Sequence, residues 1–189
     1  TGGLPTDFWR YNPSTDFWDT IPSFPDPNGG RASSIAITHN DSFALVVTGM
    51  NSMTFSSRIF EYVPVFNSWF YFGDLPGFMS ACSQAVGFSM YKGYIATGFR
   101  GSSNFSNQIF HYNFDSAEWT TGGFIDQLDT VNPFYCRFGA TGFANDQNIF
   151  LGTGINDSTY FKDFWRYDTL LRVWTQIADF GGTRRFGAV

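Results

Sequence analysis

Three arginines fall at one repeated position in this 189-residue chain, Arg31, Arg137 and Arg185, and Cys82 takes the same slot once. A guanidinium fork binds a carboxylate through two parallel hydrogen bonds, so a set of them is a candidate anion receptor. The competing reading has each Arg bonded to backbone carbonyls between neighbouring structural units. Polar loops at 51–57, 100–108 and 156–162 carry Phe55, Phe105 and Tyr160 at their tips. Adaptable Ser and Asn side chains beside rings make a recognition surface. That adds Arg100, Asn51, Asn104, Asn156 and Tyr160 to the ligand-binding candidates. The alternative for the rings is that they fold back onto neighbouring units.

Other chemistry finds little support. His39 reads as part of a turn, and His111 fills a slot that Arg10, Glu61 and Arg166 share, which predicts a solvated face. No His pair has metal-ligand spacing and no Cys-rich motif occurs, so neither metal nor cofactor is expected. Cys82 and Cys136 read as two unpaired thiols, with a single bridge left open. Asp126 and Asp129 lie in an inserted stretch, 126–133, while Asp7, Asp157 and Asp163 precede an aromatic strand, where Asp commonly bonds a turn backbone. Acid–base catalysis needs two such groups facing one pocket, and the sequence assembles none. Sequons at Asn40, Asn104 and Asn156 occur at about the frequency chance gives.

Composition narrows the classes further. Aromatic residues make up 21% of the chain, with 24 Phe, and charged residues only 14%. Such rings favour sheet surfaces. A net charge of −5, with Lys92 and Lys162 the only lysines, argues against a nucleic-acid partner. The longest apolar run, 43–47, is too short to span a bilayer. The chain opens on Thr1-Gly2-Gly3 with neither initiator Met nor signal peptide, which reads as a mature or truncated segment of something longer.

The elements that must position these residues are repetitive. An aromatic tetrad appears as Phe8-Trp9-Arg10-Tyr11, Ile59-Phe60-Glu61-Tyr62, Ile109-Phe110-His111-Tyr112 and Phe164-Trp165-Arg166-Tyr167. Trp18, Trp69, Trp119 and Trp174 follow the tetrads at constant spacing, and Thr-Gly pairs at 1, 48, 97 and 153 keep the same beat. A period of about fifty residues marks a stacked repeat. Within it, 34–49, 83–98 and 140–154 read as strand, polar turn, strand. Small residues such as Ala85, Gly87, Ala140 and Gly142 suit a crowded inner strand. The tetrad forms a third strand, with Trp9 and Tyr11 on one face and Arg10 on the other, and the Trp sits on a fourth.

The stretches DFWRYNPSTDFW at 7–18, KGYIATG at 92–98 and KDFWRYDTLLRVWTQIADFGGTRRFGAV at 162–189 resemble the Kelch motif, particularly its bacterial form. The double glycine usual in the family survives only at Gly2-Gly3; Met50, Phe99 and Ile155 stand in the second position elsewhere. The resemblance covers the whole chain. It implies an all-β, Kelch-type β-propeller of about four repeats of four antiparallel strands. Complete units fit at about 31–75, 81–122 and 137–178. The regions divide as 1–30 (a partial blade), 31–80, 81–136, 137–184, and 185–189 (the start of another), so the chain reads as an incomplete ring or a fragment of a larger propeller. The resemblance further implies that the repeated arginines ring the channel mouth and contact acidic or polar partners.

The function expected is a binding or scaffold module without catalysis of its own, using its loop face and channel mouth for a protein, peptide or glycan. Alternatives are a fragment of a Kelch-type enzyme, such as a carbohydrate oxidase or sialic-acid mutarotase, and a structural part of a larger surface assembly. The copper oxidases of the family need two His, two Tyr and a Cys–Tyr crosslink, and His39 and His111 do not supply that set. Partners expected are further blades, a larger complex or the loop-face ligand, at an extracellular or cell-surface location.

Overall fold

The computed structural model describes residues 3–51, 54–76, 86–99, 106, 108–124, 137–157 and 159–188. Fourteen strands are seen among them. β1 (Phe8–Asn12) and β2 (Phe17–Ile21) form a two-stranded sheet. The second sheet holds β3 (Ile35–His39), β4 (Phe43–Val47), β5 (Arg58–Val63) and β6 (Ser68–Asp74). The third holds β7 (Val86–Ser89), β8 (Gly93–Ala96), β9 (Gln108–Asn113) and β10 (Glu118–Phe124). The fourth holds β11 (Thr141–Ala144), β12 (Asn148–Gly152), β13 (Phe164–Asp168) and β14 (Val173–Ile177). Each four-stranded sheet is an antiparallel meander, as strands joined by short turns must be. Only one short 3-10 turn, Pro64–Phe66, interrupts the all-β character of the described residues.

The register follows the repeat. Each tetrad Tyr lies opposite its Trp: Tyr11 with Trp18, Tyr62 with Trp69, Tyr112 with Trp119, Tyr167 with Trp174. The rings of these pairs stand 4.9–5.2 Å apart in tilted contact. Aromatic cross-strand pairs of this kind hold hairpins in register. The turn between them always places a left-handed residue two positions before the Trp: Asp16 (φ 50°), Asn67 (46°), Ala117 (56°) and Arg172 (58°). Asp and Asn tolerate that conformation; Ala and Arg adopt it at a cost.

The core lies between successive sheets, not inside any of them. Ile37, Leu45, Val47 and Ile59 of the second sheet pack with Ile95, Phe110 and Tyr112 of the third. Phe88, Tyr94 and Ile109 of the third pack with Ile149, Leu151, Trp165, Tyr167 and Trp174 of the fourth. Each such aliphatic side chain contributes about 1.5–3 kcal/mol through burial. The first strands of the sheets meet most closely: the Thr38 amide donates to Ser89 Oγ across two sheets at 2.7 Å. A methyl group on Gly142 would lie 2.4 Å from the Phe150 carbonyl oxygen and 2.8 Å from the Phe88 ring, so no side chain fits there. Of the small residues expected in a crowded strand, Gly87 lies in β7 and Gly142 in β11, Ala140 directly precedes β11 and is buried, and Ala85 lies outside the described residues. This radial stack of antiparallel sheets is consistent with a segment of a β-propeller.

His39 ends β3 and opens the turn that follows, its carbonyl accepting from the Ser42 amide at 3.1 Å while its ring stacks on Phe114 at 4.2 Å and 7°. One histidine expectation needs correction. His111 is buried, unlike Arg10 and Arg166 in the equivalent slot. Its ring contacts the Thr120 hydroxyl and lies beside Tyr94. A slot that varies in residue type is therefore not everywhere solvated: β9, in the third sheet, is buried on both faces.

Candidate ligand-binding face

The loops that follow the Thr-Gly pairs are built by one design. Thr48, Thr97 and Thr153 take φ of 59°, 63° and 58°, and the following glycines 89°, 116° and 95°. Two successive left-handed steps swing the chain out of the second strand, and the glycine is what makes the second step affordable. The amides of Ser56, Ser106 and Phe161 then close back on the carbonyls of Gly49, Gly98 and Gly154, each at 2.9 Å. In two loops the turn is matched atom for atom. The Thr54 amide donates to Asn51 Oδ1 and the Thr159 amide to Asn156 Oδ1, both at 2.9 Å. The Asn51 and Asn156 amides in turn donate to the Thr54 and Thr159 carbonyls at 3.1 Å. These Asn side chains shape their loops, which is a different task from presenting amides to a ligand.

The repeated arginines divide. Arg137 is wholly buried; Nη1 and Nη2 donate to the two carboxylate oxygens of Asp163 at 2.7 and 2.8 Å, and Nη1 also reaches the Thr153 carbonyl at 3.0 Å. Its guanidinium lies 4.1 Å from the centre of the Phe161 ring. Burial alone would raise the Asp163 carboxyl, but the Arg137 fork and the Trp165 indole outweigh it and hold the group below the usual carboxylate range. Arg31 is treated alike by a different acid. Its Nε donates to Asp26 at 2.7 Å, Nη1 reaches the carbonyls of Thr48 and Arg58, and Phe24 and Phe60 flank it. Burial pulls Arg31 below its ordinary value while Asp26 pulls it back. The acid comes from the preceding connection because Arg58 occupies the position that Asp163 holds in the fourth sheet. Both arginines are thus turned inward, bonding carbonyls within their own sheet and not between sheets. Arg185 is exposed, resting over Phe180 and bonded to Thr183. Arg100, Asn104, Phe105, Cys82, Cys136, Asp126 and Asp129 lie outside the described residues.

What these loops bring together is a row of rings. Phe55 meets Phe99 at 5.6 Å, Phe99 meets Phe138 at 5.6 Å, Phe138 meets Phe186 at 6.4 Å, and Phe186 meets Tyr160 at 5.8 Å. Isolated bridges anchor them: Met50 pairs with Ala32 and Phe55, and Ile155 pairs with Phe138 and Tyr160. The loop-tip rings do fold onto the next unit, Phe55 onto Phe99 and Tyr160 onto Phe186, yet Tyr160 and Phe186 stay exposed. Sequence reasoning found Phe55 and Tyr160 and missed Phe99, Phe138 and Phe186. The available signal was their position, directly after a Thr-Gly pair or a repeated Arg.

Separately, Pro25, Pro27, Arg58, Phe60, Trp69 and Tyr71 line a cleft of ≈430 Å³. Asp74 at its edge is committed, accepting from Ser57 at 3.2 Å and Tyr71 at 2.7 Å. Among the described residues, no group of three or more His, Cys, Asp or Glu side chains is placed to hold a metal ion, and no helix is long and apolar enough to cross a membrane.

No family model matches this chain, and no curated protein matches it. Among solved structures, one described as the structure of YjhT superposes with a TM-score of 0.76 at 17% identity, covering 95% of this chain and 61% of that one. A likeness at that identity speaks for the fold alone. The chain spans about three-fifths of the length of that structure.

Proposed function

We propose that this chain is part of a Kelch-type β-propeller and acts as a recognition module, without catalysis of its own, that binds a protein, peptide or glycan on its loop face. The observation that carries the reading is the row Phe55–Phe99–Phe138–Phe186–Tyr160, which crosses three sheets and ends in two exposed rings. Rigid rings give large contact area at low entropic cost, and the bridged loop stems hold them before any ligand arrives. The inward-turned Arg31 and Arg137 support a scaffold role, so stacking replaces anion capture as the mode of binding. An extracellular or cell-surface setting remains part of the proposal, as does a larger ring around the same axis.

The test is a screen of glycans and peptides against the chain and its Tyr160→Ala/Phe186→Ala double variant, with circular dichroism confirming an intact fold. Loss of both exposed aromatic anchors is expected to cost about 2 kcal/mol, roughly thirtyfold in affinity. A ligand bound equally well by the double variant removes this face as the site.

A further inference from the structure

The connection from β2 to β3 packs on β5 and β6 of the second sheet. The Trp69 indole donates to the Pro22 carbonyl at 2.8 Å, and the Phe24 ring stands 5.0 and 5.3 Å from Phe60 and Trp69 in edge contact. Phe24 and Asp26 are buried while Pro25 and Pro27 are exposed, the alternation of an extended segment. Asp26 anchors that segment through Arg31 and by accepting from the Asn28 amide at 3.0 Å. The sheet thus already holds one proline-containing segment, by ring packing and by a donor to the carbonyl of a proline. Outside it lies the ≈430 Å³ cleft, walled by Pro25 and Pro27 on this segment and by Phe60, Trp69 and Tyr71 on the sheet. The polar lining residues are Arg58 and Asp74, register partners on β5 and β6 that form no ion pair. Asp74 accepts instead from the Ser57 and Tyr71 hydroxyls. Arg58 is fixed through its backbone, where its carbonyl accepts from Arg31 at 2.7 Å, and its guanidinium has neither hydrogen bond nor ion pair among the described residues. The cleft therefore offers unused donors and an acceptor that is already engaged.

We infer that this cleft is a receptor for a proline-rich peptide in the polyproline II conformation, its rings packed on Tyr71, Pro25 and Pro27 and its carbonyls accepting from the Arg58 guanidinium. Such a chain is the complement of what the cleft presents. It has no internal hydrogen bonds, each Pro brings a carbonyl acceptor and no N–H, and its preformed helix suits aromatic-lined grooves. An acidic peptide is the weaker match, because Asp74 already sets a carboxylate opposite Arg58. The size agrees, since ligand clefts run to about 300–1,000 Å³. The connection at 22–27 is an internal template: Trp69 and Pro22 make within the chain the kind of contact that Arg58 is placed to make with a second proline segment. None of the lining residues belongs to the row of rings, so the inference is independent of what the loop face binds.

The experiment titrates acetylated, amidated hexaproline into the full chain by calorimetry, with a Gly-Ser hexapeptide as control and the Arg58 Nε–H signal followed by NMR. Hexaproline is expected to bind more tightly than the control and to shift that signal. Arg58→Gln and Tyr71→Ala are each expected to weaken binding about tenfold, through loss of a hydrogen bond to a charged group and of a ring anchor. Because the Arg58 side chain bonds nothing in the chain, Arg58→Gln is expected to keep the fold, which circular dichroism checks. Arg58→Lys, which keeps the charge and loses the fork, is expected to weaken binding as well. No binding, or binding that all three substitutions leave unchanged, overturns the inference. So does equal binding of the control, or tighter binding of hexaglutamate or a neutral hexasaccharide with the same Arg58 shift. Hexaproline binding that is lost in Tyr160→Ala/Phe186→Ala but kept in Arg58→Gln assigns the peptide to the loop face, which overturns the cleft and supports the proposed function.

Discussion

The same residue type does opposite work at one repeated position, and two measurements separate the cases. Arg137 is buried against Asp163, so Arg137→Ala leaves a largely covered carboxylate with only the Trp165 indole as side-chain donor and is expected to cost about 3 kcal/mol. Arg185→Ala, at an exposed site, is expected to stay within about 0.5 kcal/mol. Urea denaturation of both variants checks the contrast, and equal effects would refute it. Acid stability should show two windows. Burial, with Lys92 and Arg172 nearby, pulls His111 down to about 4, so the native state refuses a proton that the unfolded chain accepts. Stability therefore falls as pH drops from about 6.5 toward 4. Asp163, held below its ordinary value, keeps its contribution above about pH 4 and loses it as pH falls through the folded value. Denaturation midpoints between pH 7 and 3 should lose the upper window in His111→Gln and the lower one in Asp163→Asn.

At the scale of elements, the strands were legible because their signals are local. The tetrad, the Trp and the Thr-Gly pair each fix a strand or its end, whereas the cross-strand Tyr–Trp register emerged only in the structure. The partners of the arginines were not legible. Asp26 comes from a connection and Asp163 from the residue just ahead of β13, and only the Arg58 exchange explains the difference. The row of rings was hidden for a related reason, since each contact joins residues from different repeats. His111 misled because a variable slot looks solvated until its neighbours on both sides are known. The four-fold turn offers a direct test of local strain. Ala117 holds a left-handed φ of 56° in an exposed turn where Asn67 holds 46°. Ala117→Asn is expected to raise stability by about 1 kcal/mol, measured by thermal or chemical denaturation. A neutral or destabilising result would show that the strain is released elsewhere in the turn.

For the molecule as a whole, stability is distributed along the stack. The third sheet is covered on both faces, the second on one side by it and on the other by Phe8 and Phe24, and the two-stranded sheet on one side only. A two-stranded ribbon is marginal without such cover. Amide exchange is therefore expected to be slowest in β4, β8 and β9 and fastest in β1 and β2, with the outer β6 and β14 between. Uniform protection across all four sheets would mean that the chain opens as one cooperative unit.

The matched construction of the 51–57 and 156–162 loops has a consequence for descent. Their stems are closed by backbone amides and an Asn carboxamide in each, so the closure itself does not depend on which ring stands between the stems. Such loops behave as exchangeable cassettes: a duplicated repeat inherits the socket and is free to rewrite the contents. Two proteins of this build can share every strand and have no partner in common.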